Sequence, residues 1–191
     1  MVTEAAVALF ASTGLYETLH SVLVWGIVKQ PCLKRFWFGG DYLEDTWVGF
    51  YEDSANERFL LIENFEQDFE GITVKGQSFD DTGAQRAQWE SAPVDFDQRK
   101  GTLSYHYTCH IMSAKVIEQG VTAFHIERDG HKGRAERLRG YSTDSPDGNR
   151  SPSWEKQLQG RNIALATALD EAKRYRDVVL SARGTTPVPN P

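Results

Sequence analysis

The sequence predicts a mainly β protein: a small antiparallel β-barrel of about eight strands, flanked by an N-terminal and a C-terminal helix. Three observations carry this. Between residues 45 and 144 apolar side chains recur with period two, the spacing that sends alternate residues to opposite faces of a strand. Short polar breaks that contain glycine separate these runs at even intervals, as in hairpin-connected all-β folds. Outside that stretch the spacing becomes helical.

From the N-terminus, residues 3–30 read as one or two helices, with Val7, Phe10, Leu15, Leu19, Leu23 and Ile27 at roughly helical intervals. Pro31 reads as their stop, because it disfavours helical geometry at the residue before it. Leu33 to Tyr42 reads as a link containing Gly39 and Gly40. Ala5 to Val28 is apolar but interrupted by Glu17 and His20, and a membrane span wants about 20 mainly apolar residues. An amphipathic helix is therefore favoured over a span, and contact with a membrane stays open. No basic stretch precedes it, as a signal peptide would require.

The strands follow. Trp47, Gly49 and Tyr51 alternate with Val48 and Phe50, and Phe59 to Ile62 is a short apolar run suited to burial on both sides. Ile72 and Val74 alternate with Thr73 and Lys75. Trp89, then Val94 and Phe96, mark shorter strands. Leu103, Tyr105, Tyr107, Cys109 and Ile111 share one face of a long strand, with Ser104, His106, Thr108 and His110 on the other. Val116 to Ile126, with a break near Gly120, and Lys132 to Thr143 complete the set. Closing such a sheet removes exposed edges, and about eight strands leave an interior that can just hold one small ligand.

Residues 145–152 read as a loop, and Trp154 to about Arg183 as a helix with Leu158, Leu165, Ala172 and Val179 spaced by sevens. The expected organisation is an N-terminal helical segment (1–40), a ligand-binding barrel (41–150), a C-terminal helix (151–184) and a disordered tail (185–191).

Composition narrows the function. The net charge is −6, so polymeric nucleic acid, which usually demands a basic excess, is disfavoured as a partner. The two cysteines, Cys32 and Cys109, show no metal spacing and no disulfide framework, which suits reduced thiols in a cytoplasm. His106, His110 and His125 lack a carboxylate or thiol at a ligand spacing, so no metal is expected. No cofactor motif stands out. Cys109, among large residues, reads as an inert buried thiol, and Asp80 and Asp81 read as turn formers. The expectation is a binding protein and not an enzyme.

Arg128, Lys132, Arg134, Arg137 and Arg139 form a basic stretch in this acidic chain. It reads either as a solvated hairpin edge or as a phosphate site, arginine offering paired donors matched to phosphate oxygens. Trp47, Tyr51, Trp89, Tyr105, Tyr107 and Tyr141 suit a core. They also suit a planar base, since tyrosine and tryptophan combine a stacking face with a polar tip.

The order of several short motifs resembles a known family. Asp45-Thr46-Trp47-Val48-Gly49-Phe50-Tyr51 opens the first strand, followed by Leu60-Leu61-Ile62-Glu63-Asn64, Phe69-x-Gly71 and Trp89. Leu103-Ser104-Tyr105-His106-Tyr107 and Leu138-Arg139-Gly140-Tyr141-Ser142-Thr143-Asp144 close the set. Over about residues 41–150 this is similar to the cyclic-dinucleotide receptor barrel of the SMODS-associating, two-transmembrane, β-strand-rich effectors of bacterial CBASS antiphage systems. The resemblance implies a barrel that senses a cyclic di- or trinucleotide and couples it to homo-oligomerisation. It implies Tyr105, Tyr107, Tyr141, Ser142, Thr143 and Asp144 as ligand-site residues, with Arg139 and Arg150 meeting phosphates. In this chain the N-terminus is short and polar for two spans, and a helix stands where the family has a last, glycine-rich strand. The expected location is the cytoplasm, with inner-membrane association left open. A phage-encoded sponge for the same messenger, a lipocalin-like binder of an apolar molecule, and an interaction module without a ligand are the alternatives.

Overall fold

The computed structural model describes residues 14–18, 20–22, 30–130, 133–144, 148–160 and 163–184. Two compact units divide at Tyr42 and Leu43. In the first, residues 14–18 and 20–22 are helical, and most of the expected 3–30 helix lies outside the described residues, as does the tail from 185. Pro31 opens a helix, α1 (Pro31–Phe38), where its missing N–H costs nothing because first-turn donors lack helical partners anyway. The residues 23–29 that it was expected to stop lie outside the described residues. The expected link is thus α1 followed by a 3-10 turn, Gly39–Asp41. Phe36 and Trp37 of α1 are exposed. Among the described residues no helix is long and apolar enough to cross a membrane.

The second unit is the barrel. Its strands are β1 (Asp45–Glu52), β2 (Arg58–Gln67), β3 (Ile72–Phe79), β4 (Gln85–Ser91), β5 (Asp95–Asp97), β6 (Thr102–Ile111), β7 (Val116–Arg128), β8 (Ala135–Asp144) and β9 (Arg150–Leu158), and α2 (Leu165–Gly184) follows. The pairing runs β4-β3-β2-β1-β9-β8-β7-β6, and β4 also pairs with β6, so eight antiparallel strands close on themselves. Short β5 pairs with the start of β6 on the same edge that β4 uses and continues that seam. The mainly β barrel expected from the alternation is the observed fold.

Hairpin tips explain why neighbours in sequence become neighbours in the sheet. Asp53, Asp68, Asp80 and Asp97 each stand at a strand end, and each Oδ1 accepts from backbone N–H groups two to four residues on. Such Asx contacts pre-form the turn. Asp80 is accordingly a turn former, held by Thr82 and Ala84.

The last strand departs from the sequence reading. Residues 150–158 form β9, not a loop leading into a helix, and the helix begins only at Leu165. The barrel thus extends to Leu158, beyond the expected boundary at 150. The cause is the inward face of β9, Ser151, Ser153, Glu155 and Gln157: polar residues in a place where alternation normally shows apolar ones. Pro152, paired opposite Tyr141, further disguises the strand.

Outside the barrel, α2 lies against β1 and β2. Ala168 and Ala172, both fully covered, let the helix approach closely over Val48, Leu60, Ile62 and Phe79. This is why Phe59 to Ile62 is apolar throughout: Leu61 faces the barrel interior, whereas Leu60 and Ile62 face the helix. Lys156–Glu171 (2.7 Å), Arg176–Asp81 and Arg183–Glu52 (3.4 Å) pin the helix along its length. Leu158, grouped with Leu165 and Ala172 by sevens, lies in β9 instead.

Inside, one end of the barrel is solid. Leu43, Trp47, Phe65, Ile72, Val74, Leu103, Ile126 and Leu138 pack together. Below them the Trp47 indole donates to the Leu43 carbonyl at 2.9 Å, and Arg134 bonds Asp45 (2.7 Å) and Gln157 (2.9 Å).

Gly49 sets a close approach in the ring, matched by Gly140 against Ala123. A Cβ at Gly49 would sit 1.9 Å from the Trp154 carbonyl oxygen and 2.8 Å from Glu155 Cα, both backbone atoms that cannot turn aside. Gly49→Ala should therefore destabilise the fold by about 2–3 kcal/mol, read as a lower midpoint in urea unfolding. An unchanged midpoint would show that β1 and β9 separate easily.

Candidate functional site

The other half of the barrel is hollow. A cavity of about 250 Å³ opens at the end where β1, β6 and β8 finish and β2, β4, β7 and β9 begin. Period two decides its lining. Inward residues of successive strands supply Leu61 and Glu63 from β2, Ser78 from β3, Ala87 and Trp89 from β4, and Tyr107 and Cys109 from β6. Thr122 and Phe124 of β7, Ser142 of β8, and Ser151, Ser153 and Glu155 of β9 complete the wall. Asp53, Arg86 and Glu118 stand at the mouth.

Two glycines keep this half open. A Cβ at Gly76 would fall 2.1 Å from the Trp89 ring, and one at Gly120 2.3 Å from the Tyr107 ring. Each aromatic lies across the glycine paired with it on the next strand. The rings become part of the wall instead of filling the centre.

At the bottom sits a polar cluster. Glu63 is almost fully covered, and its Oε1 accepts from the Tyr105 hydroxyl (2.7 Å) and the Trp89 indole N–H (2.9 Å). Its Oε2 has no partner among the described residues, nor has either carboxyl oxygen of buried Glu155, nor Ser78 Oγ. The Ser153 hydroxyl, beside Glu155, makes a long 3.5 Å bond to the Phe50 carbonyl. Thr122 and Ser142 hydroxyls pair at 3.0 Å.

Burial pushes the Glu155 carboxyl well above its ordinary value of 4.5, and the neighbouring Glu63 charge adds to the push. Burial raises Glu63 as well, against the opposing effect of its hydrogen bonds from Tyr105 and Trp89. Two carboxylates offer each other only lone pairs. A shared proton turns the contact into a hydrogen bond, so the pair holds a proton at pH values where isolated glutamates have lost it. Burial, and then the charges of Glu63 and Glu155, likewise push the Tyr105 phenol well above 10.0.

The residues singled out in the sequence separate by face. Tyr107 and Ser142 line the cavity, and Tyr105 holds its base through Glu63. Tyr141, Thr143 and Arg150 belong to the rim at the open end but lie on the outer side of β8 and β9, where the Arg150 guanidinium covers the Tyr141 ring at 4.5 Å. Arg139 lies farther down the outer wall, exposed and paired opposite Trp154. Asp144 ends β8. Within the basic stretch, Arg134 is committed to Asp45, and Arg137 stands 4.0 Å from Glu127 at the surface. His106 and His110 are exposed on the outer face of β6. Among the described residues no cluster of His, Cys, Asp and Glu could hold a metal.

The acid pair was not singled out from sequence. For Glu63 a signal exists: it continues the inward series Leu61, Glu63, Phe65, where an acid is out of place. For Glu155 none exists, because its strand was hidden.

The pair makes stability depend on pH. A carboxyl raised on folding binds its proton more tightly in the native state, so its contribution is full below about 4.5 and is lost as pH climbs through the folded value. Asp80, Asp97 and Glu171, held low chiefly by hydrogen bonds, act oppositely and only in acid. Stability should thus decline as pH rises above about 4.5 and through the raised titration of the pair, and Glu155→Gln should flatten that decline in urea titrations. An equal slope in the variant would mean that Glu155 is not the group that binds the proton. Comparison with protein-family profiles, curated proteins and solved structures finds no match to this chain.

Proposed function

We propose that this chain is a receptor for a cyclic di- or trinucleotide messenger, and that it seats one base of the ligand in the barrel cavity. The observation that carries the reading is a closed barrel left half open, with buried acceptors on Glu63, Glu155 and Ser78 that no described residue satisfies. Buried polar groups in native proteins are nearly always paired with protein, water or ligand. A cavity of roughly 150 Å³ admits benzene. One of about 250 Å³ has room for a bicyclic base, but not for a whole cyclic dinucleotide. Trp89, Tyr107 and Phe124 supply aromatic surface, and base–aromatic stacking contributes about 1–3 kcal/mol per base. The phosphates then stay at the rim, within the province of Arg86 and Arg150.

The resemblance to CBASS receptor barrels supplies the ligand class and the antiphage setting, and a phage-encoded sponge would use the same cavity. Coupling of ligand to oligomerisation belongs to the same proposal. The polar floor disfavours an apolar lipocalin-type ligand. The small-residue face of α2 is already spent on the barrel, which disfavours self-association through that face.

A thermal-shift series against cyclic di- and trinucleotides tests the reading. Ligand at about 100 times its Kd adds about 2.7 kcal/mol to a native state that alone binds it. A clear rise in Tm is expected with at least one compound, and Arg150→Ala should weaken it about tenfold in calorimetry. Arg139→Ala should leave affinity nearly unchanged; a large loss there would move the ligand to the outer wall. No shift with any compound, from a folded sample, would sink the receptor reading.

A further inference from the structure

We infer that Glu155, with Glu63 beside it, selects the inserted group by an amidine-type edge, two adjacent N–H donors on one planar group, as guanine carries at N1 and N2. The inference rests on the base-in-barrel reading for its nucleotide ligand, but the edge chemistry stands on the cavity alone.

The two acids enter from opposite sides of β1. Glu63 pairs opposite Trp47 from β2, and Glu155 pairs opposite Gly49 from β9. Gly49 places no side chain between them. The Tyr105 and Trp89 donors both go to Glu63 Oε1. Glu63 Oε2, both Glu155 oxygens and Ser78 Oγ, all covered at the cavity floor, therefore have no donor from the described residues beyond the proton the two acids share. Trp89, packed over Gly76, gives the cavity an aromatic wall beside Glu63.

Acceptors of this kind sort ligands by donor pattern. A carboxylate takes two parallel N–H groups in a bidentate fork, the strongest neutral-to-charged pairing available to it. Guanine presents that fork. Uracil flanks its single N–H with carbonyls, which face the carboxylate with like partial charge. Adenine presents one amino donor beside a ring nitrogen acceptor, and so fits Glu155 only while Glu155 keeps a proton to give. Guanidinium and amidinium groups share the guanine pattern, and a cation also offsets the cost of a buried carboxylate.

The shared proton gives the two base types opposite pH behaviour. A guanine edge displaces the proton from the acid pair, so its affinity rises as pH increases; an adenine edge needs the proton, so its affinity falls. Among the described residues, the other titratable and charged groups around the pair are Tyr105 of β6 below it, Tyr107 and Cys109 of β6 and Tyr51 of β1 on the cavity wall, and Asp53 beyond β1, Arg86 of β4 and Glu118 of β7 at the mouth.

Calorimetry on the full chain at about pH 6.5 and about pH 8 tests this, with cyclic di-GMP, its inosine counterpart, cyclic di-AMP and benzamidine as probes. The guanine ligand should bind about tenfold more tightly than the inosine ligand, which lacks the 2-amino donor, and the gap should widen at the higher pH. Glu155→Gln, which keeps the shape but removes one acceptor, should shrink the gap to about twofold or less, with circular dichroism reporting the fold. Cyclic nucleotide binding with no guanine preference, or a preference indifferent to Glu155→Gln, overturns the inference and leaves the receptor reading standing. Benzamidine binding that depends on Glu155, without any nucleotide binding, upholds the inference and overturns the receptor. Binding of neither class overturns both.

Discussion

The carboxylate of Glu63 is the group on which the barrel interior turns. It stands on β2, yet one of its oxygens receives the Tyr105 hydroxyl from β6 and the Trp89 indole from β4. Three strands from one side of the ring, two of them paired neighbours, meet at a single atom. A buried carboxylate is costly unless donors surround it, and buried networks of this kind gain strength from the low dielectric that makes them costly when incomplete. The node also divides the interior. On one side lies the packed layer around Leu103, Phe65 and Val74; on the other lies the polar cavity. Remove the carboxylate, and a phenol and an indole N–H lose their partner together.

Much of the architecture could be read from the sequence because two signals agreed over β1 to β8. Alternation marked the strands, and aspartates at the tips marked the turns. Leu103 to Ile111 is the clearest instance, where every second residue faces inward as expected. The signals failed together at β9. Its inward residues are serines, a glutamate and a glutamine, chosen for a polar cavity and not for a core, so the period survives in the structure but not in the hydropathy. On the N-terminal side, Pro31 stands at the first position of α1, where its rigid φ and missing N–H suit a helix start as well as they suit a stop.

The candidate site was legible in part, for a reason of geometry. Tyr141, Ser142, Thr143 and Asp144 are contiguous, and a strand cannot direct contiguous side chains to one pocket. Ser142 turns inward while Tyr141 and Thr143 turn out, where Arg150 covers the Tyr141 ring. Tyr105 and Tyr107, two residues apart, do share the interior. The acids that shape the cavity floor come from β2 and β9, and their meeting is a property of ring closure that no local stretch of sequence displays.

That closure has a consequence for how the chain reaches its fold. Every other seam of the ring joins strands that are close in sequence, mostly by short turns, whereas β1 and β9 are about a hundred residues apart. On a growing chain, β1 can pair with β2 early but must wait for β9. During that interval the edge of β1, with Val48 and Phe50 upon it, has neither its neighbour strand nor the α2 helix that covers it. The last seam to form also brings Glu155 to the cavity. The binding site thus arrives with the final step of folding, and a partly folded chain exposes a sticky edge before it gains anything with which to hold a ligand.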